Sequence, residues 1–426
     1  MSAATEGQVT TGVDLPASTA GRRLTTITVD QVISGASNLG VAVLAAHALG
    51  LRAFGLWEIT FLTFVLVQSG SRALVCEPVL VHPQEADERP GDVIGTAAVL
   101  GLIQGVLIGV AGGAALLWDG GLGRALLVLA VCMPLLVIQD LGRYLAFVRH
   151  EPMRALGLDL AWLGLVVLAM AVVLGTGHAT LGWFALAWAG SGAVAGLLTL
   201  FHHRASPWRL DLGWLRETWH LTWRYLVSGV FGAGGALAVV LVVAGMAGAA
   251  ALGAVRGAQL LTRPFLTVYV AVSSAGVSEL SRVPPAGAEH ERHVRRTTAV
   301  ATIAAVATLV VLVVVPDRLG RVAIGDVWDA AEPLLVPAGV QIVFIGLAAG
   351  MRAGLLGVRA IGTVMWLDLA VGALLLAAIT IGLAVGDVRT AYWCLAPAQG
   401  VAAAFTWAVY RSRRHPRPTG PSCDVC

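Results

Sequence analysis

Three charged side chains interrupt two strongly apolar stretches that flank a short polar turn. In LVIQDLGRYLAFVRHEPMRALGLDLAWLGLVVLAM, which ends at Met170, Asp140 and Arg143 precede the turn and Asp159 follows it. Acids and bases of this kind can pair with one another, bind a charged ligand or relay a proton. At the centre of a membrane helix each charge would cost about 2.5–3.5 kcal/mol. These residues therefore need partners or a function.

The spacing of the three charges around the turn predicts that they meet. The turn RHEPMR centres near Glu151, with Arg143 eight residues before it and Asp159 eight residues after it. At 1.5 Å per residue, both lie about 12 Å from the turn on adjacent antiparallel helices. Asp140 is one helical turn from Arg143. We therefore expect an Arg143–Asp159 salt bridge with Asp140 as second acceptor, acting as a structural clamp; the alternative is a substrate or proton site.

A second set of polar residues lies within other apolar stretches. Arg72 falls in the second helix of the first half of the chain, and Arg256, Gln259 and Arg263 fall in the second helix of the second half. Their matching places predict a cationic central cavity that binds substrate, although paired helix contacts are the alternative for each. Asp30 is a candidate for binding a coupling ion, or for capping the first helix.

The elements that must position these residues are membrane helices. Of 426 residues 57% are hydrophobic and only 12% are charged, and the mean hydropathy is +0.81. A spanning helix needs about 20 apolar residues. Twelve stretches qualify and predict an all-α integral membrane protein: 24–48, 54–80, 92–118, 123–148, 156–177, 179–202, 222–246, 248–279, 298–316, 333–356, 360–385 and 389–411.

A weak internal repeat divides these helices into two pseudo-symmetric lobes of six around a central cavity. Ser34-Gly35 and Ser228-Gly229 each stand early in a first helix that leads to a Gly-containing turn. Between the halves, DLGWLRETWHLTWR segregates Leu and Trp from charged residues, as in an interfacial helix. The predicted parts are a disordered N-terminus (1–23), the N-lobe (24–202), an amphipathic linker (203–221), the C-lobe (222–411) and a disordered tail (412–426).

The distribution of arginine predicts the orientation. All 28 basic residues are Arg. With both termini in the cytoplasm, twenty fall in inner segments and six in outer segments, while Arg72 and Arg263 lie inside helices; this agrees with the positive-inside rule. The absence of Lys and the abundance of Gly suggest a GC-rich bacterial genome. We therefore expect a multi-pass protein of a bacterial cytoplasmic membrane.

Several function classes find no support in the sequence. There is no Walker A loop, zinc-protease motif or nucleophile elbow in a suitable context, and no cluster of metal ligands. We therefore expect a protein that is not an enzyme and has no metal or cofactor. A formal charge of +3 is too small to indicate nucleic-acid binding. Cys423 and Cys426 form a terminal C-x-x-C, which we interpret as part of a disordered tail.

Three stretches resemble the polysaccharide flippases of the multidrug/oligosaccharidyl-lipid/polysaccharide (MOP) exporter superfamily, especially actinobacterial members. They are DQVISGASNLGVAVLAAHALGLRAFGLWEI, SRALVCEPVL and LGAVRGAQLLTRP. The resemblance implies two six-helix lobes whose cavity opens alternately to each side. It also implies a polyprenyl-diphosphate-linked oligosaccharide as cargo, moved from the inner to the outer leaflet for cell-surface polysaccharide synthesis. The chain differs from lipid II flippases, which carry fourteen helices.

The physical chemistry of the candidate residues agrees with such a cargo. A diphosphate needs cations in a low-dielectric cleft, and arginine supplies a fixed charge with bidentate donors. The expected partners are the lipid-linked glycan, membrane lipids and, in the pathway, a polysaccharide polymerase and glycosyltransferases. The alternatives are an ion-coupled exporter of a drug or small metabolite with the same fold, and an integral-membrane glycosyltransferase or polymerase.

Overall fold

The chain is helical throughout the residues that the structure, a computed structural model, describes. These are residues 38–81, 90–149, 151–203, 212–281, 283–284, 287–358 and 360–414, and they contain helices and short turns with no strand. The predicted N-terminus (1–23), the first part of the first helix with Asp30, and most of the predicted tail with Cys423 and Cys426 lie outside the described residues.

The first half of the chain forms six helices, two of which contain a wide π-helical turn. They are α1 (Asn38–Ala48), α2 (Gly50–Ser71, continued by the π turn Arg72–Cys76 and by Glu77–Val81), α3 (Pro90–Ala115), α4 (Gly120–Val148), α5 (Pro152–Gly175) and α6 (Leu181–Ala185, the π turn Leu186–Gly190 and Ser191–His203).

The second half begins with one helical run, Leu212–Leu280, that reverses at Gly248. Gly248 has φ 88° and ψ 166°, a conformation open essentially to glycine alone. The run is therefore two helices, α7 (212–247) and α8 (249–280). The remaining helices are α9 (Ala288–Val314), α10 (Asp317–Ile324), α11 (Val327–Gly357), α12 (Ile361–Val385) and α13 (Val388–Arg414).

These helices account for the twelve predicted membrane crossings and confirm the predicted fold class. Among the described residues, nine stretches are long and apolar enough to span a bilayer. One of them, Gly234–Val277, has 44 residues and supplies two crossings because it reverses at Gly248. The shorter α1 and the more polar α13 complete the set.

Several helix boundaries differ from the sequence prediction; α9, for example, begins at Ala288 rather than at 298. Helix α11 begins at Val327 rather than at 333, so Pro333 and Pro337 lie inside the helix, beyond its first turn. The predicted loop before it contains α10, whose Arg321 is hydrogen-bonded to Asp329 at 2.9 Å. The amphipathic linker was predicted at 203–221. Its described part, from Leu212 onward, belongs to α7, where Trp219 is exposed.

The helices pack in two groups that follow the halves of the chain. In the first group α4 packs against α3, α5 and α6; in the second, α11 packs against α8, α9 and α13. The main contact between the groups joins α2 to the α7–α8 pair. We call the end of the molecule with the turns at Gly50 and Gly248 the Gly50 end. The opposite end, where α13 finishes, is the Arg414 end.

Candidate functional site

Helices α2 and α8 cross in backbone contact near the Gly50 end. A Cβ atom on Gly55 of α2 would collide with the carbonyl oxygen of Ala249, and one on Gly253 of α8 would collide with the carbonyl oxygen of Leu51. Small residues at such a crossing let membrane helices approach closely and gain dispersion energy. We call this contact between the two halves the seam.

The seam is pseudo-symmetric, and the symmetry extends to an ion pair. Gly55 and Gly253 are 198 residues apart in the sequence, as are Gly50 and Gly248. The same separation, 198, relates Glu58 to Arg256. Each of these two residues is eight positions beyond its turn, so they lie at equal depth, about 12 Å from the Gly50 end.

Glu58 and Arg256 form a buried ion pair across the seam. Nε and Nη2 of Arg256 donate to Oε2 of Glu58 at 2.8 and 2.6 Å. The Arg256 Nη1 donates to Oε1 of Gln259 at 2.6 Å, and the Gln259 amide donates to the Tyr392 hydroxyl of α13 at 3.1 Å. The Glu58 side chain is 2% exposed, so these polar groups satisfy one another away from water.

The structure places Arg256 and Gln259 at the contact between the two halves, and their role in a substrate cavity stays a prediction. Both belong to a closed network at the seam, with an acid from the opposite half as partner. The pairing of Glu58 with Arg256 was not predicted from the sequence, because the helices were matched by order rather than by distance from the glycine turns. Counting from Gly50 and Gly248 would have aligned Glu58 with Arg256.

Arg263 lies two helical turns beyond Arg256 on the same face of α8. Seven residues separate them, close to the 7.2 residues of two full turns. The Arg263 side chain is half-buried. Glu58 and Arg256 are its charged neighbours. In the described part of the chain, no carboxylate or other acceptor is hydrogen-bonded to its guanidinium. Arg263 is thus a half-buried cation two helical turns from the Glu58–Arg256 pair, on the side away from the Gly50 end.

Arg72 belongs to a second buried ion cluster, deeper toward the Arg414 end. Its Nε and Nη2 donate to the two carboxylate oxygens of Asp140 on α4 at 2.7 and 2.8 Å, a bidentate pair. The Asp140 side chain is 1% exposed. Arg72 lies fourteen residues beyond Glu58 on α2, or about 21 Å along the helix. The structure thus separates Arg72 from the Arg256 network.

The cluster continues from Asp140 to the charges around the α4–α5 turn. Nε of Arg143 is 3.1 Å from Oδ1 of Asp159 on α5. Nη1 of Arg143 is 3.7 Å from Oδ1 of Asp140, and the Gln139 amide is 3.4 Å from Asp159. The structure therefore brings the three predicted charges together and adds Arg72 from α2, which sequence analysis had assigned elsewhere. Two acids and two bases balance one another.

Local departures from regular helix accompany this cluster. Arg72 opens the π turn of α2, and Trp188 lies in the π turn of α6, where its carbonyl accepts a hydrogen bond from the Trp162 indole at 3.2 Å. A cavity of about 30 Å³ lies beside Asp159 and is also lined by Asn38 of α1. It has room for a water molecule between polar groups. Such π turns are common at functional sites.

The described residues contain no group of three or more His, Cys, Asp or Glu side chains placed to hold a metal ion. Each of the two ion clusters joins helices from different parts of the chain. One connects the two halves at the seam. The other connects α2, α4 and α5 within the first half.

The architecture matches solved transporter structures over nearly the whole chain. An inward-facing multidrug resistance MATE family transporter of the MOP superfamily superposes with a TM-score of 0.71, covering 92% of this chain and 98% of that one at 15% identity. The lipid II flippase MurJ, in an inward closed conformation, gives 0.67, with 90% and 87% coverage at 10% identity. The chain has the fold of these transporters.

A MOP superfamily transporter from Pyrococcus furiosus Vc1 (DSM3638), described as having a binding pocket of reverse polarity, also matches. It gives a TM-score of 0.60, with 93% and 95% coverage at 16% identity. No protein-family model and no curated protein matches the chain at the level of sequence. At these identities the likeness establishes the fold.

Proposed function

We propose that the chain is a transporter that moves a polyprenyl-diphosphate-linked oligosaccharide from the inner to the outer leaflet by alternating access. The observation that carries the proposal is Arg263, a half-buried cation without a hydrogen-bonded acceptor among the described residues, next to the contact between the two halves. A guanidinium in a low-dielectric site is well suited to a diphosphate, since it offers charge and parallel donors.

The seam supplies the gate of the proposed cycle. Backbone contact at Gly55 and Gly253, together with the Glu58–Arg256 pair, holds the halves together at the Gly50 end. The arginine asymmetry of the sequence orients this end outward and both termini toward the cytoplasm of a bacterium. In this state cargo would enter from the cytoplasmic side, and release outward requires that the seam part.

The residues of the inner cluster have a supporting role in this proposal. Asp140, Arg143 and Asp159, with Arg72, fasten α2, α4 and α5 so that the first half moves as one body. Asp30 remains the proposed residue for a coupling ion and lies outside the described residues. A polysaccharide polymerase and glycosyltransferases remain the expected pathway partners.

The proposal is tested with purified protein in liposomes that contain a fluorescent polyprenyl-diphosphate-linked disaccharide, whose exposure at the outer leaflet is followed by lectin capture. Hydrogen bonds to charged groups contribute about 1.5–3 kcal/mol, so Arg263→Gln should reduce the translocation rate about tenfold to hundredfold. Arg263→Lys, which keeps the charge, should retain part of the rate.

Arg292→Gln is the matched control, because Arg292 is exposed near the start of α9 and distant from the seam. Its rate should equal that of the unmodified protein. Equal rates for Arg263→Gln and the control at equal protein abundance would reject Arg263 as a diphosphate ligand.

An ion-coupled exporter of a drug or small metabolite is the second candidate. Its support is the match to the MATE family transporter at a TM-score of 0.71. Efflux of cationic dyes from cells that express the chain, combined with no glycan translocation in liposomes, would select this function instead.

A further inference from the structure

A groove lies between three apolar helices in the second half of the molecule. Helices α9 and α13 both pack along α11, while in the described residues they do not pack along one another. The gap between them forms a groove with a volume of about 730 Å³, floored by side chains of α11 such as Phe344 and Leu347. None of the ion pairs discussed above borders it.

Two arginines stand at one mouth of the groove. Arg295 is in the second turn of α9 and Arg411 is in the last turn of α13, so both lie at the Arg414 end. Arg295 is paired with Glu291 at 3.0 Å, and the Arg411 guanidinium lies 4.0 Å from the ring centre of Trp407. Two cations and one acid leave the mouth with a net positive charge.

Beyond its mouth, the groove is lined mainly by apolar side chains. Its walls carry small residues from α9 and α13, which leave space between the helices: Thr298, Ala299, Thr302, Gly400, Ala403 and Ala404. From Arg411 to Gly400 the wall extends eleven residues, or about 16 Å into the membrane region. A long apolar chain fits such a channel, whereas a soluble anion would fill only its mouth.

We propose that this groove binds one anionic phospholipid, with its phosphate between Arg295 and Arg411 and an acyl chain between α9 and α13. The phosphate complements the positive mouth, where guanidinium groups at the membrane surface attract anionic lipid. The acyl chain covers the small residues and fills the gap, which restores dispersion contacts that the two helices do not make with each other. The bound lipid would bridge α9 and α13. This inference is independent of the proposed transport function.

A second groove provides an internal comparison. It lies between α1 and α5 with a volume of about 760 Å³, and its lining includes Gly40, His47 and Ala171 but no arginine. This groove has a similar size but no cationic mouth, so we expect it to show no preference for an anionic lipid. A bulky substitution that fills this groove is therefore a matched control for one that fills the groove between α9 and α13.

The experiment uses the full-length protein in detergent, titrated with phosphatidylglycerol, phosphatidylcholine or inorganic phosphate. Native mass spectrometry measures retained lipid and thermal unfolding measures stability. We expect phosphatidylglycerol alone to remain bound and to raise the melting temperature. The double variant R295Q/R411Q and the groove-filling Ala404→Trp should each retain at least tenfold less of it.

The controls are R292Q/R413Q, which removes two exposed arginines from the same helix ends outside the groove, and Ala171→Trp, which fills the comparison groove. Both should bind phosphatidylglycerol like the unmodified protein. Retention unchanged in R295Q/R411Q and Ala404→Trp, loss that is equal in the controls, or equal stabilisation by inorganic phosphate or phosphatidylcholine would each overturn the proposal.

Discussion

Among the described residues, the buried carboxylates Glu58, Asp140 and Asp159 are each paired with an arginine of another helix. Arg143 and Asp159 could be matched from the sequence, because a single tight turn fixes their relative depth. The main partner of Asp140 could not, since Arg72 is 68 residues away and arrives by the packing of α2 against α4. Sequence distance from a turn therefore predicts pairs within a hairpin or at equivalent depths of the two halves, while the Arg72–Asp140 pair requires knowledge of how α2 packs on α4.

Removing one member of the inner cluster should destabilise the protein strongly. Asp159→Ala leaves Arg143 with Asp140 at 3.7 Å, while Asp140 is already held by Arg72. A buried ion pair broken in this way costs about 3–5 kcal/mol, because the remaining charge is left without full compensation. We expect a correspondingly lower melting temperature in detergent.

Two further variants separate a structural clamp from a binding site. Arg154→Gln breaks a pair with Glu151 in which both side chains are more than a third exposed, so its cost should stay below about 1 kcal/mol. The exchange of Arg143 and Asp159 should recover part of the stability if the cluster is a clamp. No loss for Asp159→Ala, or no recovery in the exchanged protein, would argue against that role.

At the scale of helices, the apolar composition of the sequence was enough to predict most of the membrane helices. Runs of about 20 apolar residues predicted twelve crossings, and Gly248 at the α7–α8 turn falls where the sequence suggested a break. The start of α11 was missed, because proline is expected ahead of a helix or in its first turn, yet α11 holds Pro333 and Pro337 farther inside. Helix crossing angles and partners depend on side-chain packing, which hydropathy does not encode.

The crossing of α2 and α8 yields a test at this scale. Gly253→Leu would place a side chain against the carbonyl oxygen of Leu51, so the halves could not close at the Gly50 end. We expect a chain that inserts and remains in the membrane but translocates at least tenfold more slowly, since 1.4 kcal/mol of strain in one state suffices for that factor.

Gly113→Leu supplies the comparison for that variant. Gly113 is an exposed helical glycine of α3 with no heavy atom near its virtual Cβ, so leucine there meets open space. Its translocation rate should be unchanged. Equal rates for the two leucine variants would show that close approach at the seam is dispensable.

For the whole molecule, the proposed transport cycle requires that the two halves rock about the seam, which closes the Gly50 end in this state. In the sequence the repeat was visible as Ser-Gly near the start of each half, followed by a Gly-containing turn. The structure places Glu58 and Arg256, 198 residues apart, at equivalent positions on opposite sides. Opposite charges at symmetric sites allow the halves to attract each other, and loss of either charge should weaken the closed state.

The most direct test measures distances between spin labels at both ends of the molecule. One pair, at Leu117 and Val322, joins exposed sites of the two halves at the Gly50 end. The other pair, at Met153 and Arg296, joins exposed sites at the Arg414 end. The labels are introduced after replacement of the five native cysteines, and the distances are measured by pulsed electron paramagnetic resonance in lipid nanodiscs.

We expect Glu58→Gln to lengthen the Leu117–Val322 distance and to shorten the Met153–Arg296 distance. A charged hydrogen bond of about 1.5–3 kcal/mol corresponds to a shift of roughly tenfold to hundredfold in the ratio of the two states. Distances at both ends that stay fixed in Glu58→Gln, or that lengthen together, would contradict a rocking motion about the seam.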